Sequence, residues 1–174
     1  MKNLSKFTQY FLGFGLVLII YGYVSRIVGL YFFWESKSVG WGLILIGLIG
    51  LLSDRVRVKR KIDKNSVLEK IGIGLIVFII LIQTILITTL PFSEAYSVSK
   101  KFLTENQQVT DEVGKVEGFG IIPRGAIGKS TDSEGTYGAA TLNLTVKGQK
   151  KYKDVTVYVF KYTDEPNWIV EEID

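Results

Sequence analysis

The sequence predicts a membrane α-helical region of three transmembrane helices followed by a C-terminal α+β domain, with one helix packed on a mainly antiparallel sheet. Three observations carry this. Residues 71–90 form a run of twenty without a charge, with Gln83 as its strongest polar group. At about 1.5 Å of rise per residue, a helix of that length spans about 30 Å, the hydrocarbon thickness of a bilayer. Two further apolar runs precede it, bordered by basic residues, and beyond residue 90 the pattern changes to short alternating segments separated by turn residues. Such alternation is how half-buried strands read.

The first span is placed at about 8–33. A basic start (Lys2, Lys6) followed by an apolar run also opens a signal peptide, but that apolar region would be about 7–15 residues and end at small residues. Here the run is longer and leads into Tyr21, Tyr23, Arg26 and the aromatic group 31–34, expected to finish the helix as an interfacial belt. Arg26 near the helix end reads as a snorkelling side chain, with pairing to Glu35 or a lipid phosphate, or to a partner's buried acid, as alternatives. Residues 35–38 make a polar turn into a second span at 38–53, whose apolar core of fourteen residues (39–52) is short for a bilayer. Glycines at 15, 22 and 29 and at 40 and 47 recur every seven residues. That spacing either lines up small residues for close helix packing or reflects the general abundance of Gly in membrane helices.

Residues 54–70 read as a basic cytoplasmic loop carrying Arg55, Arg57, Lys59, Arg60, Lys61, Lys64 and Lys70, suited to orienting the chain and meeting lipid headgroups. With three spans this puts the amino terminus inside and residues 91–174 outside. The membrane region is thus 1–90, with the third span at 71–90, and the extracytoplasmic domain is 91–174. Residues 1–90 hold 11 Lys/Arg and 4 Asp/Glu, a net +7, against 10 and 13, a net −3, in residues 91–174. A basic membrane half with an acidic tail argues against nucleic acid as a partner.

In the tail, Pro91 closes the third span and Ser93 starts a helix over 93–107, with Ala95, Val98, Phe102 and Leu103 on one face and Asn106 at its end. Residues 114–128 read as one or two short strands. Residues 138–147 alternate, with Leu142, Leu144 and Val146 on one face and Thr141, Asn143, Thr145 and Lys147 on the other; a hairpin turn follows at 148–150. The strand over 152–162 carries Val155, Val157 and Val159 on one face and Thr156, Tyr158, Phe160 and Tyr162 on the other, which suits a central strand. A turn at 164–167 leads to a last strand over 168–173.

The segments 106–114 (NQQVTDEVG), 138–148 (GAATLNLTVKG), 155–159 (VTVYV) and 167–170 (NWIV), in that order after a membrane span and a helix, carry a resemblance. Residues 93–173 resemble the cytochrome oxidase complex assembly protein family, related to an accessory subunit of the mitochondrial presequence translocase. The matching positions, Asn106, Gly114, Gly138, Gly148 and Trp168, are structural. The resemblance implies a membrane-anchored, non-enzymatic factor that contacts another membrane complex on the trans side. Three spans in place of a single anchor, without an Arg-rich transit segment, favour a bacterial cell membrane.

Candidate chemistry is sparse. The chain has no His and no Cys, which removes the commonest general base, the commonest metal ligand and any thiolate. Gly128-Lys129-Ser130 ends like a phosphate-binding loop, but Pro123 stands where that pattern needs Gly. A Lys129/Ser130 dyad and the acid pairs Asp132/Glu134 and Asp164/Glu165 sit in turn-like sequence and read as solvated. Asn143 and Thr145 form a glycosylation sequon in mid-strand. Lys147, Lys150, Lys151 and Lys153 gather at the hairpin, where they either meet anionic lipid or wall polymer or simply solvate a turn. The expectation is therefore no enzyme, no cofactor and no metal site. Membrane lipids and another membrane protein or complex are the expected partners, with the oligomeric state open. The function expected is presentation of a protein-interaction domain that assists assembly of a membrane complex; a ligand or envelope-stress sensor is the alternative.

Overall fold

The computed structural model describes residues 4–133, 135–163, 165 and 167–174. The chain forms two compact units, Met1–Thr84 and Ile85–Asp174. Three helices are long and apolar enough to cross a membrane: α1 (Lys6–Val28), α2 (Ser36–Lys61) and α3 (Val67–Thr89), the last prolonged by a 3-10 turn at Leu90–Phe92.

Helix α1 begins at Ser5, whose side chain accepts from the Thr8 amide, and stops at Val28. It does not reach residues 31–34 as the aromatic belt suggested. Gly29 adopts a left-handed conformation (φ 67°) and Leu30 N–H turns back to the Ser25 carbonyl at 2.8 Å, closing the helix one turn early. Tyr31 and Trp34 lie instead in the connection to α2, with ring centroids 5.6 Å apart.

Helices α1 and α2 pack along the glycine seam. A Cβ added at Gly40 would lie 2.8 Å from the Gly15 carbonyl oxygen, one at Gly22 2.6 Å from the Lys37 backbone, and one at Gly47 2.7 Å from Leu12. The sevenfold glycines at 15, 22, 40 and 47 are therefore packing residues, whereas Gly29 is a cap. The polar end of the seam is tied by Asp54, which is buried and accepts from Ser5 N–H and from the buried Thr8 hydroxyl, each at 2.8 Å.

The basic segment 54–70 is mostly helix, not loop. Helix α2 continues through Arg55 to Lys61 and α3 starts at Val67, leaving only residues 62–66 between them. Lys and Arg are good helix formers, and Lys59, Arg60 and Lys61 in the last turn oppose the negative end of the helix dipole. At 26 residues α2 is about 39 Å long, of which the basic turns after Asp54 carry the helix beyond its apolar core of residues 39–52.

The second unit is an antiparallel sheet with helices on one face. One helix was expected over 93–107; there are two, α4 (Glu94–Glu105) and α5 (Gln107–Val113). Asn106 ends the first with extended dihedrals, and its Oδ1 caps the second by accepting from Val109 N–H at 3.0 Å. Seven residues are too few for α5 to show a helical period in the sequence.

The strands are β1 (Val116–Phe119), β2 (Arg124–Asp132), β3 (Gly135–Gly148), β4 (Tyr152–Lys161) and β5 (Ile169–Ile173). β3 is the long central strand: β2 pairs along its first part and β1 along its end, both on one edge, and β4 then β5 follow on the other. Leu142, Leu144 and Val146 of β3 and Val155, Val157 and Val159 of β4 point to the helices, where Leu103, Val109 and Val113 meet them. Each fully buried Leu or Val contributes about 1.5–3 kcal/mol. Gly148 lets α5 close on the sheet, since a Cβ there would lie 2.3 Å from the Val113 carbonyl oxygen. Gly138 lies under Trp168, whose ring a Cβ would approach to 2.7 Å and whose Nε1–H donates to Glu94 at 3.2 Å. Gly114 (φ 79°) ends α5. Asn106, Gly114, Gly138, Gly148 and Trp168 thus all shape the fold.

Candidate interaction surfaces

The side of the sheet away from α4 and α5 carries no covering element among the described residues. Its residues follow from strand alternation: Tyr137, Ala139, Thr141 and Asn143 on β3 stand beside Phe160, Tyr158 and Thr156 on β4. The face has two halves. Toward the 148–150 turn it is polar, with Thr145 donating to Asp154 at 2.6 Å and Thr156 to Asn143 Oδ1 at 2.9 Å. Toward the other end it is aromatic. There Gly128, Tyr137, Ala139, Phe160 and Tyr162 line an open groove of about 520 Å³. Phe160 and Tyr162 stack at 6.4 Å between centroids, and Tyr137 and Tyr162 are 45% and 47% exposed. Tyr162 donates its hydroxyl to Glu171, which raises the phenol's pKa.

The alternation of β4 was legible, including its aromatic side, but the groove was not. Its floor needs the register that sets Gly128 beside Ala139 and Ala139 beside Phe160, and a sequence does not print register. Gly128, Lys129 and Ser130, which end like a phosphate loop, are consecutive residues of β2. In a strand the Lys129 and Ser130 side chains leave opposite faces, so they form neither a phosphate cradle nor a dyad. Lys2, Glu134, Asp164 and Pro166, and the Asp132 side chain, lie outside the described residues.

The four hairpin lysines do not form one patch. Lys151 and Lys153 each donate to Glu112 on α5, at 2.7 Å to Oε1 and Oε2 respectively. Lys147 stands on the other face, its Nζ 5.8 Å from the Tyr152 ring centroid. Lys150 contributes its backbone N–H to the Val113 carbonyl at 2.9 Å. Glu112 is the residue the sequence concealed, because it reaches the lysines across 39 and 41 positions. Their hydrogen bonds hold its carboxyl below the usual range.

At the basic end of α2, Arg55, Arg57, Arg60 and Lys61 are exposed and ring the helix. Lys59 is tied to Glu69 of α3 at 2.6 Å, and Arg57 stands 3.9 Å from Asp54. The buried Glu69 Oε2 has no hydrogen-bond partner among the described residues. At the far end of α1, Arg26 donates to the carbonyls of Gly22 (3.0 Å) and Trp34 (2.9 Å), with its guanidinium 4.7 Å from the Trp34 ring centroid. Those contacts place the charge where helix-terminal carbonyls accept it. Comparison with family models, with curated proteins and with solved structures finds no match to this chain.

Proposed function

We propose that the chain is a multi-pass membrane protein that presents an extracytoplasmic interaction domain, which assists assembly of a membrane complex by contacting another membrane protein. The observation that supports this most is the aromatic half of the uncovered sheet face, with Tyr137 and Tyr162 exposed around a groove floored by Gly128 and Ala139. Tyrosine offers a large apolar body with a polar tip at small entropic cost, and an exposed aromatic patch is a common mark of a protein-binding surface. The chain leaves α3 at Thr89 and enters α4 at Glu94, a tether short enough to favour partners at the membrane. An assembly or accessory role is also what the family resemblance of residues 93–173 implies.

The proposed orientation follows the positive charges: Lys6 and the Arg55-to-Lys61 cluster inside, residues 91–174 outside. Protease treatment of intact cells tests it, with cleavage of the tail domain expected and full protection overturning it. Partner contact is tested by placing a photo-crosslinking amino acid at Tyr137 or Tyr162 in native membranes. An adduct with another membrane protein is expected, and it should be absent when the crosslinker stands at Glu117 of β1. Recovery of a small ligand alone from the groove would favour the sensor reading over this one.

A further inference from the structure

We propose that two copies of this chain associate within the membrane through α3, with the Gln83 side-chain amide of each copy hydrogen-bonded to that of the other. Gln83 lies about 10 Å from the Leu90 end of the apolar run and about 18 Å from its Ile71 end, inside the hydrocarbon of a spanning helix. Its side chain is exposed and has no hydrogen-bond partner among the described residues. The neighbouring hydroxyls differ: Thr84 donates to Ile80, and Thr88 and Thr89 donate to Ile85, at 2.8, 2.9 and 2.8 Å. A threonine can satisfy itself on its own helix, whereas a glutamine amide, with two N–H donors and an acceptor, needs a partner that hydrocarbon does not supply.

The apolar window around Gln83 is open to a neighbour. None of the apolar window of α3 is buried within the chain, while α1 and α2 spend their glycine seam on each other. Symmetry selects a second copy as the occupant. All copies enter the membrane in one orientation, so the two-fold axis relating a pair is the membrane normal. Each residue facing that axis then meets its own equivalent at the same depth. An amide is both donor and acceptor, so Gln83 is complementary to Gln83, and polar side chains do associate membrane helices in this way. Ile79 and Ile87, one turn before and after, lie on the same face and are 43% and 37% exposed; Leu81 and Ile85 lie on the opposite face.

The absence of cysteine makes the test direct. Single cysteines at Ile79, Leu81, Ile85 or Ile87 in the full chain are oxidised in native membranes and the product masses read. Disulfide-linked dimers of the 19.5 kDa chain are expected from positions 79 and 87 and not from 81 and 85. In the Ile87→Cys background, Gln83→Leu should lower the dimer yield about 3- to 10-fold, while Gln83→Asn keeps most of it. Equal yields at all four positions, a yield indifferent to Gln83→Leu, or an adduct with a different polypeptide would each overturn the proposal.

Discussion

Helices α1 and α2 form a pair and α3 does not, although all three are long and apolar. The pair carries glycines at seven-residue spacing whose missing side chains let one backbone rest on the other, and a buried Asp54 that gathers two donors at its end. Helix α3 has its glycines at 72 and 74, near its start, and Gly74 has nothing within 4 Å. In lipid, apolar side chains gain little by leaving the hydrocarbon for one another, so hydrophobicity sets which segments span but not which segments pair. Pairing comes from close backbone approach and from polar groups that need partners.

The contrast is most sharply broken by filling the seam. Gly40→Leu should cost about 1–3 kcal/mol or more of hairpin stability, since its Cβ would meet the Gly15 carbonyl at 2.8 Å. Gly42→Leu, two residues after Gly40 on the same helix with nothing within 4 Å, should cost almost nothing. Resistance of the purified full chain to unfolding in mixed detergents measures both. Equal losses would mean that the seam does not hold the pair.

Asp54→Ala should come next, at about 1–3 kcal/mol, because it leaves the Ser5 amide and the buried Thr8 hydroxyl without their acceptor. Amide hydrogen exchange at the start of α1 would report it as faster exchange, with α3 unchanged. For α3 the corresponding fastening is Lys59–Glu69. Lys59→Gln should loosen the start of α3 and leave α1 unaffected, an inverse pattern in the same measurement.

The smallest effect is expected in the tail domain, where Glu112 fastens α5 to the hairpin. Its folded pKa is lowered by the hydrogen bonds from Lys151 and Lys153. The stabilisation is therefore present above the unfolded value of about 4.3 and is lost as pH falls through the lower folded value. Glu112→Gln should cost less than about 1 kcal/mol at neutral pH, as expected of a largely solvated pair, and should flatten the acid limb of the stability curve. Thermal unfolding of the full chain at pH 7 and pH 3 measures both terms.

What was legible in the sequence follows from what is local. Three helices long and apolar enough to span come from uninterrupted hydropathy, and strand alternation and the inward faces of β3 and β4 from periodicity, both of which a linear chain displays directly. The expected basic loop failed because charge marks a membrane edge without saying whether the backbone there is helical. The expected tail helix is α4, ending at Asn106 as read, but α5 was missed because Asn106 also caps the next helix, two roles that one residue type fills equally well.

By itself, the sequence determined that three segments are long and apolar enough to span a membrane, and that an α+β domain follows them. Both rest on local hydrophobicity and period. Only the tertiary structure decided that the glycines form a seam, that Glu112 takes two of the four hairpin lysines, and that Gly128 floors an aromatic groove. Each of these depends on register or on contacts between residues far apart in the chain, and the free energy that selects them exists only once both partners are in place.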